Sequence, residues 1–242
     1  MIDFTLTEEQ LALQEMAREF AEKEMRPRAA AADEGHQFPA EVMRKAFDVG
    51  FLTCVIPAEY GGGGLGDLET AIISEELARG CAGMYSTMMA NALAFTPLIL
   101  GGTPEQKKTF LTPFTRKMSF ASYCLTEREA GSDTSAIKAT ARKDGGEYVI
   151  NGSKCFITNG GIADLYVVFA NAAPEKGARG LSIFLVPRET PGVAVGKVED
   201  KMGQRASNTT ELFFEDVRVP AASIPATSDG ASARTRIIRR RR

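Results

Sequence analysis

Apolar residues recur at helical spacing through the first half of the chain and in short, turn-bounded runs through the second. Thr7-Glu-Glu-Gln10 has the form of a capping box, in which the Thr side chain accepts from a free backbone N–H and Gln10 reaches back. Leu13, Met16, Ala17, Phe20 and Ala21 then fall on one helical face. Pro39 suits the first turn of a second helix, which buries Val42, Met43 and Phe47 and ends at Gly50. Residues 51–57 form a short apolar segment, Gly61-Gly-Gly-Gly64 a loop, and 68–78 a renewed helix. Residues 85–100 are largely apolar, which predicts a buried helix. Thr103-Pro-Glu-Gln106 caps a further helix to about Phe114.

Near Met118 the period changes. Asp144-Gly-Gly146, Asn151-Gly152 and Asn159-Gly-Gly161 are turn signals between β-rich runs. Strands are predicted at 148–150, 165–170, 181–186, 193–198 and 211–214. The fold class is therefore α+β. An N-terminal α-helical domain over 1–117 is followed by an antiparallel β-barrel or sandwich over 118–224. Residues 225–242 are small and polar and then arginine-rich, with no pattern able to bury a face. They read as a disordered or non-native tail, such as a shifted reading frame, in preference to a nucleic-acid arm.

Composition narrows the chemistry. The 242 residues are 44% hydrophobic and 25% charged, as in an ordinary globular protein. A formal net charge of −2 argues against a generally basic nucleic-acid binder. No apolar run is long enough to span a bilayer, and the first residues lack a secretory pattern, so a cytoplasmic location is expected. Cys54, Cys81, Cys124 and Cys155 sit in apolar stretches without metal-binding spacing and read as buried free thiols. His36 is the only histidine, which removes Ser-His-Asp and Cys-His catalysis and leaves no metal site to propose.

The densest chemical signal is Tyr123-Cys-Leu-Thr-Glu-Arg-Glu-Ala-Gly-Ser-Asp133, followed by Cys155-Phe-Ile-Thr-Asn-Gly160. Each segment starts as an apolar strand, breaks into polar loop, and delivers a threonine hydroxyl near the break. Thr126 and Thr158, with the backbone around Leu125 and Ile157, can serve the polar edge of a flat ring system. Phe156 can cover its face. Gly131 and Ser132 can approach a phosphate, although Asp133 can equally form a plain Asx-turn there. Met202-Gly-Gln-Arg-Ala-Ser-Asn-Thr-Thr210 is a third polar cluster, readable as a nucleotide or pantetheine contact or as a polar hairpin.

Together these segments resemble the acyl-CoA dehydrogenase family of flavoproteins. The family pattern Thr-Glu-Pro-x-Ala-Gly-Ser-Asp appears as Thr126 to Asp133 with Arg128 at the Pro position. Trp-Ile-Thr-Asn-Gly appears as Phe156 to Gly160, with the smaller Phe at the Trp position. Lys201-Met-Gly-Gln-Arg-Ala-Ser-Asn-Thr, Phe214-Glu-Asp-Val217 and Pro57-Ala-Glu-Tyr-Gly61 are similar too. The resemblance implies FAD as cofactor, contacted by Tyr123, Leu125 and Thr126, with Phe156, Ile157 and Thr158 at the ring. Gly131 and Ser132 would lie near the diphosphate or the CoA chain. It implies an acyl-CoA substrate near Ser132, Ser207, Asn208, Thr209 and Thr210. Met89, with Met88, Asn91 and Phe95, would lie on the helix shaping the acyl pocket. The implied reaction oxidises an acyl-CoA to its trans-2-enoyl form, a carboxylate taking the α-proton. An electron-transfer flavoprotein is the implied acceptor, and a homotetramer the implied assembly. The resemblance stops at about Ile224. The chain is thus expected to carry the first two domains and to lack the C-terminal helical domain that supplies the catalytic base, so no catalytic residue is assigned. A catalytically silent FAD- or CoA-binding fragment and an acyl-CoA oxidase-like relative are the alternatives.

Overall fold

The computed structural model describes residues 5–225, so the arginine-rich stretch lies outside the described residues. A helical first part is followed by a β-sheet, as the hydrophobic pattern requires. The described chain divides into two compact units. One comprises residues up to Met89 together with Asp200–Ser207; the other comprises Ala90–Glu199 and the chain from Asn208 onward.

In the first unit, α1 (Glu8–Phe20) opens on the capping box anticipated at Thr7 and Gln10. The helix does not stop near Ala21. It passes through a π-turn at Ala21–Met25 into α2 (Arg26–Glu34), whose Ala29-Ala30-Ala31-Ala32 run has high helix propensity. In α3 (Ala40–Asp48), Pro39 is the N-cap and not a first-turn residue, and Val42, Met43 and Ala46 are buried. α4 (Asp67–Gly80) packs on α1. A Cβ on Gly80 would lie 2.8 Å from that of Ala21, which shows how closely the backbones approach. Phe20 meets Phe51 edge-to-face at 5.2 Å, and Arg18 grips buried Glu76 at 2.6 Å. The 200–207 segment belongs to this unit: the Arg205 N–H donates to Asp33 Oδ1 (2.7 Å), and the Ser86 hydroxyl donates to Gln204 Oε1 (3.0 Å).

α5 (Ala82–Gly101) ends in the second unit, where α6 (Pro104–Arg116) follows with its own capping box at Thr103 and Gln106. Phe95 and Phe114 meet edge-to-face at 4.8 Å. The strands are β1 (Ala121–Cys124), β2 (Thr140–Asp144), β3 (Glu147–Thr158), β4 (Leu165–Asn171), β5 (Leu181–Pro187), β6 (Val193–Val198) and β7 (Thr209–Pro220). They form one sheet in the order β1-β4-β2-β3-β7-β6, with β5 also on β4. The pairings β2–β3, β3–β7, β7–β6 and β4–β5 are antiparallel, as expected. β1 and β2 run parallel to β4, which makes the sheet mixed. Asn151-Gly152 is not a turn. β3 continues through it by a bulge, with Gly152 at φ +148 and the Asn151 side chain exchanging two hydrogen bonds with Asp216. Asn91 fastens the entry to the sheet, accepting from Ala121 N–H (2.8 Å) and donating to the Ser119 carbonyl (3.1 Å).

Candidate functional site

The two predicted strand ends lie side by side. The Cys155 N–H donates to the Thr126 carbonyl (3.0 Å), and the Ser122 hydroxyl donates to the Thr158 carbonyl (2.9 Å). Between Lys154 and Ile157 the register of β3 against β7 shifts, and Phe156 stands in that bulge at φ +57. A left-handed backbone is costly for a bulky residue. Phe156 nevertheless leaves 64% of its surface exposed, while Ile157 beside it is buried. Tyr123, Leu125, Thr126 and Thr158 are half-buried, and Tyr123 packs against Phe169 at 4.7 Å. The hydroxyls of Thr126 and Thr158 make no hydrogen bond among the described residues.

The loop after Thr126 is shaped internally. Glu127 and Ala130 exchange two backbone hydrogen bonds (3.0 and 3.2 Å). The Asp133 carboxylate accepts from the Ser135 N–H (2.9 Å), the Asx-turn that the sequence allowed. Gly131 and Ser132 are exposed on this loop, and a Cβ on Gly131 would meet open space.

Sequence reasoning missed Lys154. Its side chain is 0% exposed and its Nζ donates to Glu127 Oε1 (2.7 Å) and to the Leu125 carbonyl (3.1 Å). The Glu127 carboxylate, 7% exposed, also accepts from the N–H groups of Lys138 (2.7 Å) and Ala139 (3.1 Å). Burial pushes the Lys154 ammonium below its ordinary value, opposed by the hydrogen bond and charge of Glu127. No local signal marked it, because Asn151, Gly152 and Ser153 before it are exposed.

Of the remaining candidates, Asn208, Thr209 and Thr210 meet the end of β3. Thr209 pairs with Thr158 and Thr210 with Ile157. The Asn208 carbonyl accepts from Asn159 N–H (2.8 Å), and its Oδ1 from Gly161 N–H (2.7 Å). Thr209 and Thr210 are buried, and Thr210 Oγ1 has no partner among the described residues. The turn after Thr158 is held further by the Tyr166 hydroxyl on the Gly160 carbonyl (2.9 Å) and by Arg188 on those of Gly161 and Ala163. Met89 and Ser207 belong to the first unit. Met89 is half-buried, and buried Ser207 offers its carbonyl to Lys201 Nζ (2.7 Å). Cys54, Cys124 and Cys155 are buried free thiols and Cys81 is half-buried; desolvation raises Cys54 to about 11. Among the described residues no group of His, Cys, Asp and Glu could hold a metal, and no helix is long and apolar enough to cross a membrane.

A helical part thus leads into a mixed sheet that carries the aromatic bulge and the threonine-tipped strand ends. The acyl-CoA dehydrogenase N-terminal domain matches residues 7–118 and the acyl-CoA dehydrogenase middle domain matches residues 122–217. The chain belongs to the acyl-CoA dehydrogenase family. It is 44% identical over 225 residues to acryloyl-CoA reductase (NADH) of Anaerotignum propionicum, covering 92% of this chain and 57% of that protein. Butyryl-CoA dehydrogenase from Megasphaera elsdenii superimposes with a TM-score of 0.87 at 37% identity, over 93% of this chain and 60% of that one. An acyl-CoA dehydrogenase complexed with FAD from Bacillus anthracis gives a TM-score of 0.83 at 31% identity, over 94% of this chain and 39% of that one. The chain thus spans little more than half the length of the curated relatives it matches.

Proposed function

We propose that this chain carries the FAD- and acyl-CoA-binding part of a CH–CH oxidoreductase acting on acyl-CoA thioesters. The observation that carries the reading is the backbone hydrogen bond from Cys155, the residue before Phe156, to the Thr126 carbonyl, which joins the two strand ends. The residues fit a flavin: an exposed aromatic held at a strained bulge, two half-buried hydroxyls without protein partners among the described residues, and a buried apolar Ile157. FAD, when bound, supplies the two-electron redox chemistry of the thioester's α,β carbon–carbon bond.

Tyr123, Leu125, Thr126, Phe156, Ile157 and Thr158 would hold the ring region. Phe156 shields a face from water, and the threonine hydroxyls orient the polar edge. Gly131 and Ser132 would meet an anionic phosphate on their exposed loop. From the resemblance, the acyl-CoA contacts proposed are Met89, Ser132, Ser207, Asn208, Thr209 and Thr210, and the domains proposed are 1–117 and 118–224. An electron-transfer flavoprotein as acceptor and a homotetrameric assembly are proposed on the same ground. Glu127 is not a candidate base, because its carboxylate is buried and occupied by three donors.

The test is an FAD titration of the purified chain, followed by quenching of flavin fluorescence. Uptake is expected, and Thr126→Val with Thr158→Val should weaken it about tenfold to a hundredfold, one hydrogen bond each. A chain that takes up no FAD overturns the reading. Bleaching of the bound flavin by butyryl-CoA without air distinguishes an enzyme from a silent binder, which the engaged state of Glu127 favours as the second reading.

A further inference from the structure

We propose that the buried Glu127–Lys154 pair is the positioning device of the flavin site, clamping the Thr126 segment against the Phe156 bulge. The assignment rests on the flavin reading above. Lys154 is the last residue of β3 in regular register before the shift that releases Cys155 and Phe156, and it pairs with Leu212 of β7. From that fixed point its Nζ reaches the residues on both sides of Thr126, the Leu125 carbonyl and the Glu127 carboxylate. The Cys155 N–H takes the Thr126 carbonyl itself. Three consecutive residues are thus tied to one end of the bulge, with the Thr126 hydroxyl left over. Glu127 is anchored from the far side by Lys138 and Ala139, so the carboxylate links the returning loop to the same ammonium.

A pair this deeply buried is a poor source of stability. Desolvation of two ions offsets most of their attraction, and apolar replacements of similar size are often as stable. What an ammonium with several oriented bonds supplies is a unique geometry. Here that geometry fixes the distance between Thr126 and Phe156, residues that would touch one ligand. Glu127 and Lys154 are positioning residues in this scheme and touch no ligand themselves.

Lys154→Met and the double variant Glu127→Gln/Lys154→Met test this in the full chain. Three readouts are needed: thermal unfolding, FAD affinity, and peptide-resolved hydrogen exchange of the FAD-free chain. Lys154→Met alone leaves a buried carboxylate without its cation and should lower the unfolding midpoint. The double variant should recover most of that loss. It should still exchange about tenfold faster in the peptide covering 125–127 and bind FAD about tenfold more weakly. A double variant that exchanges and binds like the wild type overturns the proposal. A double variant that fails to fold assigns the pair to folding and also overturns it. Wild-type chain that takes up no FAD overturns the flavin reading and this assignment together. Wild-type uptake with an undisturbed double variant overturns this one alone.

Discussion

At the scale of single residues, Phe156 concentrates the conflict between stability and binding. Its left-handed backbone costs roughly 1–2 kcal/mol relative to an extended one, and its exposed ring returns little by burial. Such strain at an exposed aromatic is what a ligand contact would retain. Phe156→Gly should therefore raise stability by up to about 1 kcal/mol, since Gly adopts this φ freely at some entropic cost. The same variant should weaken FAD binding about tenfold by removing the ring. Phe156→Ala is the control, losing the ring while keeping the strain. Denaturant midpoints and FAD titrations of both variants check the point. If glycine destabilises the chain, the bulge conformation is not strained. Phe156 was legible in the sequence because an aromatic two residues before a strand-end threonine is a local pattern. Lys154 was not, because its partner lies 27 residues away and no local period shows that a lysine points inward.

At the scale of elements, β3 is the backbone of the site, and its legibility was mixed. The sequence reads as two strands broken by Asn151-Gly152, but a dipeptide that permits positive φ serves a bulge as well as a turn. β2 was invisible because its exposed Arg142 and Lys143 leave only Ala141 buried along most of its length. The parallel pairing of β1 with β4 was hidden because no periodicity encodes which non-adjacent strand becomes a neighbour. The turn after β3 was legible from Asn159-Gly-Gly161, and its packing explains the glycine. A Cβ on Gly160 would press into Thr210 Oγ1 and lie 3.1 Å from the Ile157 carbonyl. Gly160→Ala should cost about 1–3 kcal/mol by overpacking, moving Thr158 with it. Gly160→Ala/Thr210→Ala should recover part of that loss, because the hydroxyl it removes is the nearest obstacle. A double-mutant cycle in urea measures this coupling, and strictly additive losses would show that the two residues do not meet.

At the scale of the whole molecule, the charge arrangement predicts how the protein fails in acid. Among the described residues, four carboxylates sit below their ordinary range in the folded chain. Glu76 is held down chiefly by the hydrogen bond from Arg18, Glu24 by that from Lys45, Glu69 by that from Gln10, and Glu105 by its own backbone N–H and by Thr103. A folded-state value below the unfolded one means that the unfolded chain binds more protons through the intervening window. The stabilisation is then fully present above the unfolded value, near 4.3, and disappears as pH falls through the folded values. Glu24, Glu69 and Glu76 belong to the first unit and Glu105 to the second, so acid should loosen the first unit earlier. The unfolding midpoint should stay level with respect to these groups between about pH 6 and 8, and drop below about pH 4.5. Peptide-resolved exchange should then quicken in α1 and α4 before β3 and β7. Of the four, Glu76 is the buried one, so its loss should be the least relieved by salt. Glu76→Gln should lower the midpoint at pH 7, and its deficit should shrink as pH falls through the depressed folded value of Glu76 and the carboxylate takes up its proton. A deficit that stays unchanged down to the pH at which the wild-type chain itself unfolds in acid would assign Glu76 a packing role and remove it from the acid transition.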